Sequence, residues 1–145
     1  MTTAPSVTEA GMTSIVREVE IAVPVETAWA ALRDFGGAAR LFAGILVDCR
    51  EAEGERRVTF ANGLAVRERL VAVDESRRRL AYTVLDGPFS HHHASMEVEP
   101  AGRSTRFRWT SDFLPDAAAA QVTPLIDAGC TAIRRNLEAG LAPAG

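Results

Sequence analysis

The sequence predicts an α+β fold, an antiparallel sheet with helix packed on one face. Three observations carry this. Apolar residues alternate with period two in residues 15–23. Short alternating segments, separated by turn residues, fill the middle of the chain. After Pro115 the period changes to that of a helix and holds for about five turns.

Taken in order, "IVREVEIAV" places Ile15, Val19, Ile21 and Val23 on one face, with only Arg17 breaking the pattern, and Pro24 ends the strand. In "PVETAWAALRDF", Val25, Trp29 and Leu32 recur at helical spacing with Ala28 between them, which predicts a short amphipathic helix to about Phe35, stopped by Gly36 and Gly37. "AARLFAG" predicts a second helical turn, and "ILVDCREA" a strand. "EGE" then turns the chain into "RRVTFANG", where Asn62-Gly63 supplies the positive φ angles of a tight hairpin. "LAVRERLVAVDESRRRLAYTVL" gives two strands around "DESRR", and "HHHASMEVEPAGRSTRFRWTSDF" two more around "PAGR". Finally Val122, Ile126, Gly129, Ile133, Leu137 and Leu141 form one helical stripe with Asp116 as a plausible N-cap. Pro124 sits inside that stripe at a cost of about 3 kcal/mol in a straight helix, so either the helix kinks there or it starts there. The sheet therefore has about six or seven strands.

The 145 residues suit one domain, assigned to 15–141, with a flexible tail over 1–14 and a short one over 142–145. The net charge is −3 and all 16 basic residues are arginines, which argues against nucleic acid as a partner and excludes lysine Schiff-base chemistry. Cys49 and Cys130 lie far apart without a C-x-x-C spacing, fitting reduced thiols and a cytoplasmic location better than a disulfide or a zinc site. The opening residues lack the basic and apolar regions of a signal peptide, and no run is long enough to span a bilayer.

With these segments in view, the chain resembles the helix-grip superfamily of START, Bet v 1-like and polyketide cyclase/dehydrase proteins over about residues 15–140. "IAVPVETAWAALRDFGG", "VRERLVAVDESRRRLAYTVLDGP", "MEVEPAGRSTRFRWTSDF" and the long final helix carry the resemblance. It implies a curved sheet wrapped around the C-terminal helix, two short helices after the first strand, and an apolar cavity that holds a hydrophobic small molecule.

Strand alternation then assigns faces. Leu64, Val66, Glu68, Leu70 and Ala72 share one face of their strand, and Ala65, Arg67, Arg69, Val71 and Val73 the other. Burying one carboxylate costs less than burying two guanidiniums, so the first set faces inward. The resemblance agrees, since the superfamily's "ERL" glutamate points into the cavity. Glu68 is then either a cavity group or a residue near the sheet edge, solvated or bridged to an arginine. Hairpin register sets Glu68 across from Val84 and Leu70 across from Tyr82, the only tyrosine, which brings its hydroxyl near Glu68. A turn at Ala101-Gly102 would pair Met96 with Phe107, Ala94 with Trp109, and Glu97 with Arg106 on the outer face. The same parity turns His92, Ala94 and Met96 inward and His91 and His93 outward. The candidate ligand-binding set is Leu64, Val66, Glu68, Tyr82, His92, Ala94, Met96, Phe107, Trp109, Ile126, Cys130 and Ile133.

All three histidines fall in "HHH". His91 and His93, with a carboxylate such as Asp86, would make a poor zinc set, because zinc wants three or four ligands. No metal and no cofactor is expected. His92 with Glu68 is the candidate general acid/base pair, because His titrates near neutrality and a carboxylate can hold its tautomer. The inferred pocket contains no nucleophile and no arginine. Three function classes remain open. The first is a binder of a lipid, polyketide or aromatic metabolite. The second is a cyclase or dehydratase using Glu68 and His92. The third is a protein-interaction module with a vestigial cavity, a homodimer being one form of it.

Overall fold

The computed structural model describes residues 13–141. The expected tails at 1–12 and 142–145 lie outside the described residues. Thr13 and Ser14, assigned to the tail from sequence, open the first strand.

Seven strands form one antiparallel sheet: β1 (Thr13–Ile21), β2 (Leu46–Ala52), β3 (Glu55–Phe60), β4 (Ala65–Asp74), β5 (Arg79–Val84), β6 (His91–Ala101) and β7 (Ser104–Leu114). Their spatial order is β1-β7-β6-β5-β4-β3-β2, so the only long connection runs from β1 to β2 at the opposite edge. That connection holds α1 (Val25–Arg33), a 3₁₀ turn at Phe35–Gly37 and α2 (Ala38–Leu41). Helix α3 (Ala119–Glu138) closes the concave side, entered through a 3₁₀ turn at Asp116–Ala118.

The core explains the sequence periods. Ile15 and Ile21 of β1, Val25, Ala28, Trp29 and Leu32 of α1, and Val122, Ile126, Ile133 and Leu137 of α3 are all buried, so each apolar stripe faces the sheet–helix interior. Arg17, the break in the β1 stripe, faces α3 and donates through Nε to Asp127 Oδ1 at 2.6 Å. Pro124 lies inside α3, whose start five residues earlier rules out a helix beginning at the proline. The N-cap position of α3 falls on Ala118 and not on Asp116, whose carboxylate accepts from the Thr13 hydroxyl and ties the entry of α3 to β1.

Two registers differ from expectation. The β6–β7 turn lies at Gly102-Arg103, not Ala101-Gly102, so Met96 pairs with Trp109, Val98 with Phe107, Ala94 with Ser111 and Glu97 with Arg108. A shift of two residues keeps every side chain on its expected face, because the strand period is two. On the outer face Arg106 accordingly binds Glu99 (3.1 Å) and Arg108 binds Glu97 (2.9 Å). The β3–β4 loop is one residue longer than a two-residue turn: Phe60 N–H donates to Leu64 O, and of Asn62-Gly63 only Gly63 takes a positive φ, +92°. That extra residue sets Arg56 directly opposite Glu68. In β4 a bulge between Leu70 and Ala72 ends the alternation, and Ala72 is exposed instead of inward-facing.

Candidate functional site

A cavity of about 70 Å³ lies between the sheet and the first half of α3, room for several water molecules. Val66, Glu68, Tyr82, His92 and Trp109 form its sheet side, and Val122, Leu125 and Ile126 its helix side. Phe89, from the loop before β6, closes one end. A second chamber of about 40 Å³ continues inward past Glu68, Tyr82, Trp109 and Leu125 to Met96, Phe42 and Arg56. The walls are overwhelmingly apolar, and apart from Gln121 on the exposed side of α3 their polar groups fall into two clusters.

The first cluster is an ion pair at the inner end. Arg56 donates through Nε to Glu68 Oε1 at 2.7 Å, with both side chains buried. Its Nη1 donates to the Phe35 carbonyl at 3.0 Å, and the guanidinium lies 4.0 Å above the Phe35 ring centroid and 5.3 Å from that of Tyr82. Arg56 thereby ties the α1–α2 turn to β3 and β4 and cancels the Glu68 charge within the fold. The Tyr82 hydroxyl accepts from Trp109 Nε1 at 3.2 Å. Burial, and secondarily the nearby Glu68 carboxylate, push the Tyr82 phenol well above its usual range, so it stays protonated.

The second cluster is His92 and Ser111. The Val84 backbone N–H donates to His92 Nδ1 at 2.9 Å, which makes Nδ1 the acceptor and leaves the proton on Nε2. Nε2 then stands 3.4 Å from Ser111 Oγ, beyond the usual 2.7–3.2 Å range for an N–H donor. The ring is held between Phe89 and Tyr82, at centroid distances of 4.7 Å and 5.7 Å. Burial, with the neighbouring His93 and His91, lowers the His92 pKa to about 4, so the imidazole is neutral at physiological pH.

Trp109 separates the chambers, and its position depends on α3. A Cβ on Gly129 would stand 2.7 Å from the indole Cζ3, so glycine here permits the close approach. Gly129→Ala should displace the indole and destabilise the protein by about 1–2 kcal/mol, the overpacking cost outweighing the helix-propensity gain. Tryptophan emission and thermal melting check this; unchanged emission at unchanged stability would contradict it.

The family described as polyketide cyclase / dehydrase and lipid transport matches residues 12–142. The chain belongs to that family. Among solved structures, an uncharacterised protein from Bacillus thuringiensis is similar at 17% identity and TM-score 0.78, over 86% of this chain and 98% of its own. A Thermobifida fusca protein is similar at 31% identity and TM-score 0.66, over 87% and 90% respectively. Norcoclaurine synthase from Thalictrum flavum, solved with dopamine and hydroxybenzaldehyde, shares the Bet v 1-like fold at 18% identity and TM-score 0.67, over 93% of each chain. No curated protein matches.

Of the residues the sequence picked out for this family's cavity, Leu64, Val66, Glu68, Tyr82, His92, Trp109 and Ile126 line the main chamber and Met96 the inner one. Ala94, Phe107 and Ile133 face inward as expected but are enclosed in the solid core, at 0%, 0% and 1% exposure. Cys130 lies instead on a groove between α3 and β1, beside Arg17 and Asp127. Burial pushes its thiol up to about 11. Both cysteines are free thiols. The expectation that the pocket lacks arginine is overturned by Arg56, and Glu68 turns out to be both cavity-facing and bridged to an arginine. Ser111, Phe89 and Leu125 were also missed. Arg56 and Ser111 were readable from parity, because each lies two residues from an inward neighbour, Val58 and Trp109 respectively. Phe89 sits in a loop, where no period applies. No helix is long and apolar enough to cross a membrane among the described residues.

Proposed function

We propose that this protein binds a compact, largely apolar small molecule, of polyketide or aromatic type, in the chamber between the sheet and α3. The observation that carries this reading is the composition of the cavity: apolar walls with a few convergent polar groups are the usual lining of a small-molecule site, and at about 70 Å³ the chamber must widen by movement of side chains such as Phe89 and Leu125 to admit an aromatic compound. Membership of a cyclase/dehydrase and lipid-transport family supports it. Binding without chemistry is favoured over catalysis by the state of the two candidate catalytic groups. Glu68 is engaged by Arg56, and His92 has its basic nitrogen committed to the Val84 N–H, so neither is poised to take a proton.

The test is extraction of small molecules from protein purified from its own host, followed by mass spectrometry. A stoichiometric apolar compound is expected. Leu125→Trp, which fills the space shared by both chambers, should lower its occupancy at least tenfold while melting stays within a few degrees. Absence of any bound compound, together with failure to bind added aromatic probes, would leave the interaction-module reading in its place. The cyclase reading is supported by the family description, which names cyclases and dehydrases beside lipid transport, and by the fold shared with norcoclaurine synthase. It requires turnover of the bound compound that is lost in both Glu68→Gln and His92→Asn.

A further inference from the structure

The His92–Ser111 pair is built differently from a general base and differently from a packing residue. A backbone N–H occupies Nδ1, so the tautomer is fixed by the hydrogen-bonded frame of β5 and β6. Phe89 and Tyr82 fix the plane of the ring. The result is an N–H donor at the cavity wall whose only partner among the described residues, Ser111 Oγ, is too far away to satisfy it fully. Ser111 is itself buried and lines the same wall, and its hydroxyl can turn to donate alongside.

We propose that His92 Nε2–H, with the Ser111 hydroxyl, recognises an uncharged oxygen acceptor on the ligand, a ketone or similar carbonyl. This rests on the cavity being a ligand site. The charge of the ligand follows from the other polar cluster. Arg56 and Glu68 neutralise one another at 2.7 Å, so a carboxylate or an ammonium group entering the chamber would find no uncompensated countercharge and would lose its hydration. A neutral carbonyl meets a donor already desolvated and oriented, and an analogue lacking the oxygen leaves that donor without a good partner.

The probes are four compounds of nearly one size: acetophenone, ethylbenzene, benzoate and benzylammonium, titrated by NMR. Acetophenone should bind roughly 3- to 10-fold more tightly than ethylbenzene, the worth of one hydrogen bond, and the two ions more weakly than either. In His92→Asn the amide oxygen still accepts from Val84 N–H, but the donor falls short of the Nε2 position. There the ratio of acetophenone to ethylbenzene affinity should fall to about one, whatever the smaller side chain does to both. In the unaltered protein, ¹⁵N shifts should report Nε2 as the protonated nitrogen, and the ¹³C carbonyl resonance of bound acetophenone should move downfield. Equal binding of acetophenone and ethylbenzene, a carbonyl resonance that does not move, or a protonated Nδ1 would each overturn the proposal and leave the cavity reading standing. Binding of neither neutral probe would overturn this proposal, and with no copurifying compound it would overturn the cavity reading as well.

Discussion

Arg56→Met should destabilise the protein by about 3–5 kcal/mol, the largest effect expected of any single substitution in the cavity wall. The guanidinium has four separate engagements, with the Glu68 carboxylate, the Phe35 carbonyl, the Phe35 ring and the Tyr82 ring. Methionine keeps most of the stem's apolar contact and removes all four. The dominant cost is the Glu68 carboxylate left behind, buried in an apolar wall without its partner. Glu68→Gln should cost less, since an amide retains a hydrogen-bond acceptor for Arg56, although the cation is then uncompensated. The decisive comparison is the double variant Arg56→Met/Glu68→Leu. If the single-variant loss is mainly an orphaned charge, removing both partners should recover most of it, because a buried ion pair often contributes little net stability over apolar residues of similar size. Urea denaturation of the parent, Arg56→Met, Glu68→Leu and the double variant closes the cycle. Additive losses in the double variant would show that the arginine acts through Phe35 and not through Glu68.

That pair also marks how far the sequence could be read. Alternation on β4, together with the lower cost of burying one carboxylate than two guanidiniums, put Glu68 inside, and its partner was one strand away on a segment, "ERRVTF", with the same period. Reading Val58 as inward places Arg56 inward automatically. What sequence could not supply was the register: a two-residue turn at Asn62-Gly63 would set Arg57, not Arg56, opposite Glu68, and only the longer loop with Gly63 alone at positive φ makes the match. Between β6 and β7 the register error was two residues and harmless to faces, so the inward assignment of His92 and Met96 survived it. The limit was different in the core. Parity says which face a residue is on, but not whether that face borders empty space. Ala94 and Phe107 share the inner face with Tyr82 and Trp109 and are packed solid, because α1 lies over β5, β6 and β7, while α3 packs chiefly on β1 and leaves space beside β4 and β5. Where helices stand relative to a sheet is set by packing volumes that no linear pattern records.

Acid should weaken the fold through His92 in a way that one substitution isolates. In the folded state this imidazole titrates at about 4, against 6.5 for an ordinary histidine, because burial and then the adjacent His93 and His91 disfavour its charged form. The geometry gives the same direction: Nε2 already carries a proton, so a second must go to Nδ1, where it would face the Val84 N–H and turn an accepted hydrogen bond into two opposed donors. Between pH 6.5 and 4 the unfolded chain therefore binds more protons at this site than the folded one, and stability falls as pH falls. The contribution is fully present above pH 6.5 and is lost progressively down to about pH 4, where the folded protein begins to take the proton as well. At 1.36 kcal/mol per unit, the loss between pH 7 and 4.5 should be roughly 2–3 kcal/mol. Carboxylates that titrate in the same range add their own dependence, so the measurement is a difference. In His92→Asn the acceptor for Val84 N–H is kept and the proton site is gone, and the stability change between pH 7 and 4.5 should be smaller than in the parent by that amount. Equal slopes in the two proteins would mean that His92 carries its proton in the folded state across this range, and with it the Nδ1 hydrogen bond that fixes its tautomer would have to be abandoned.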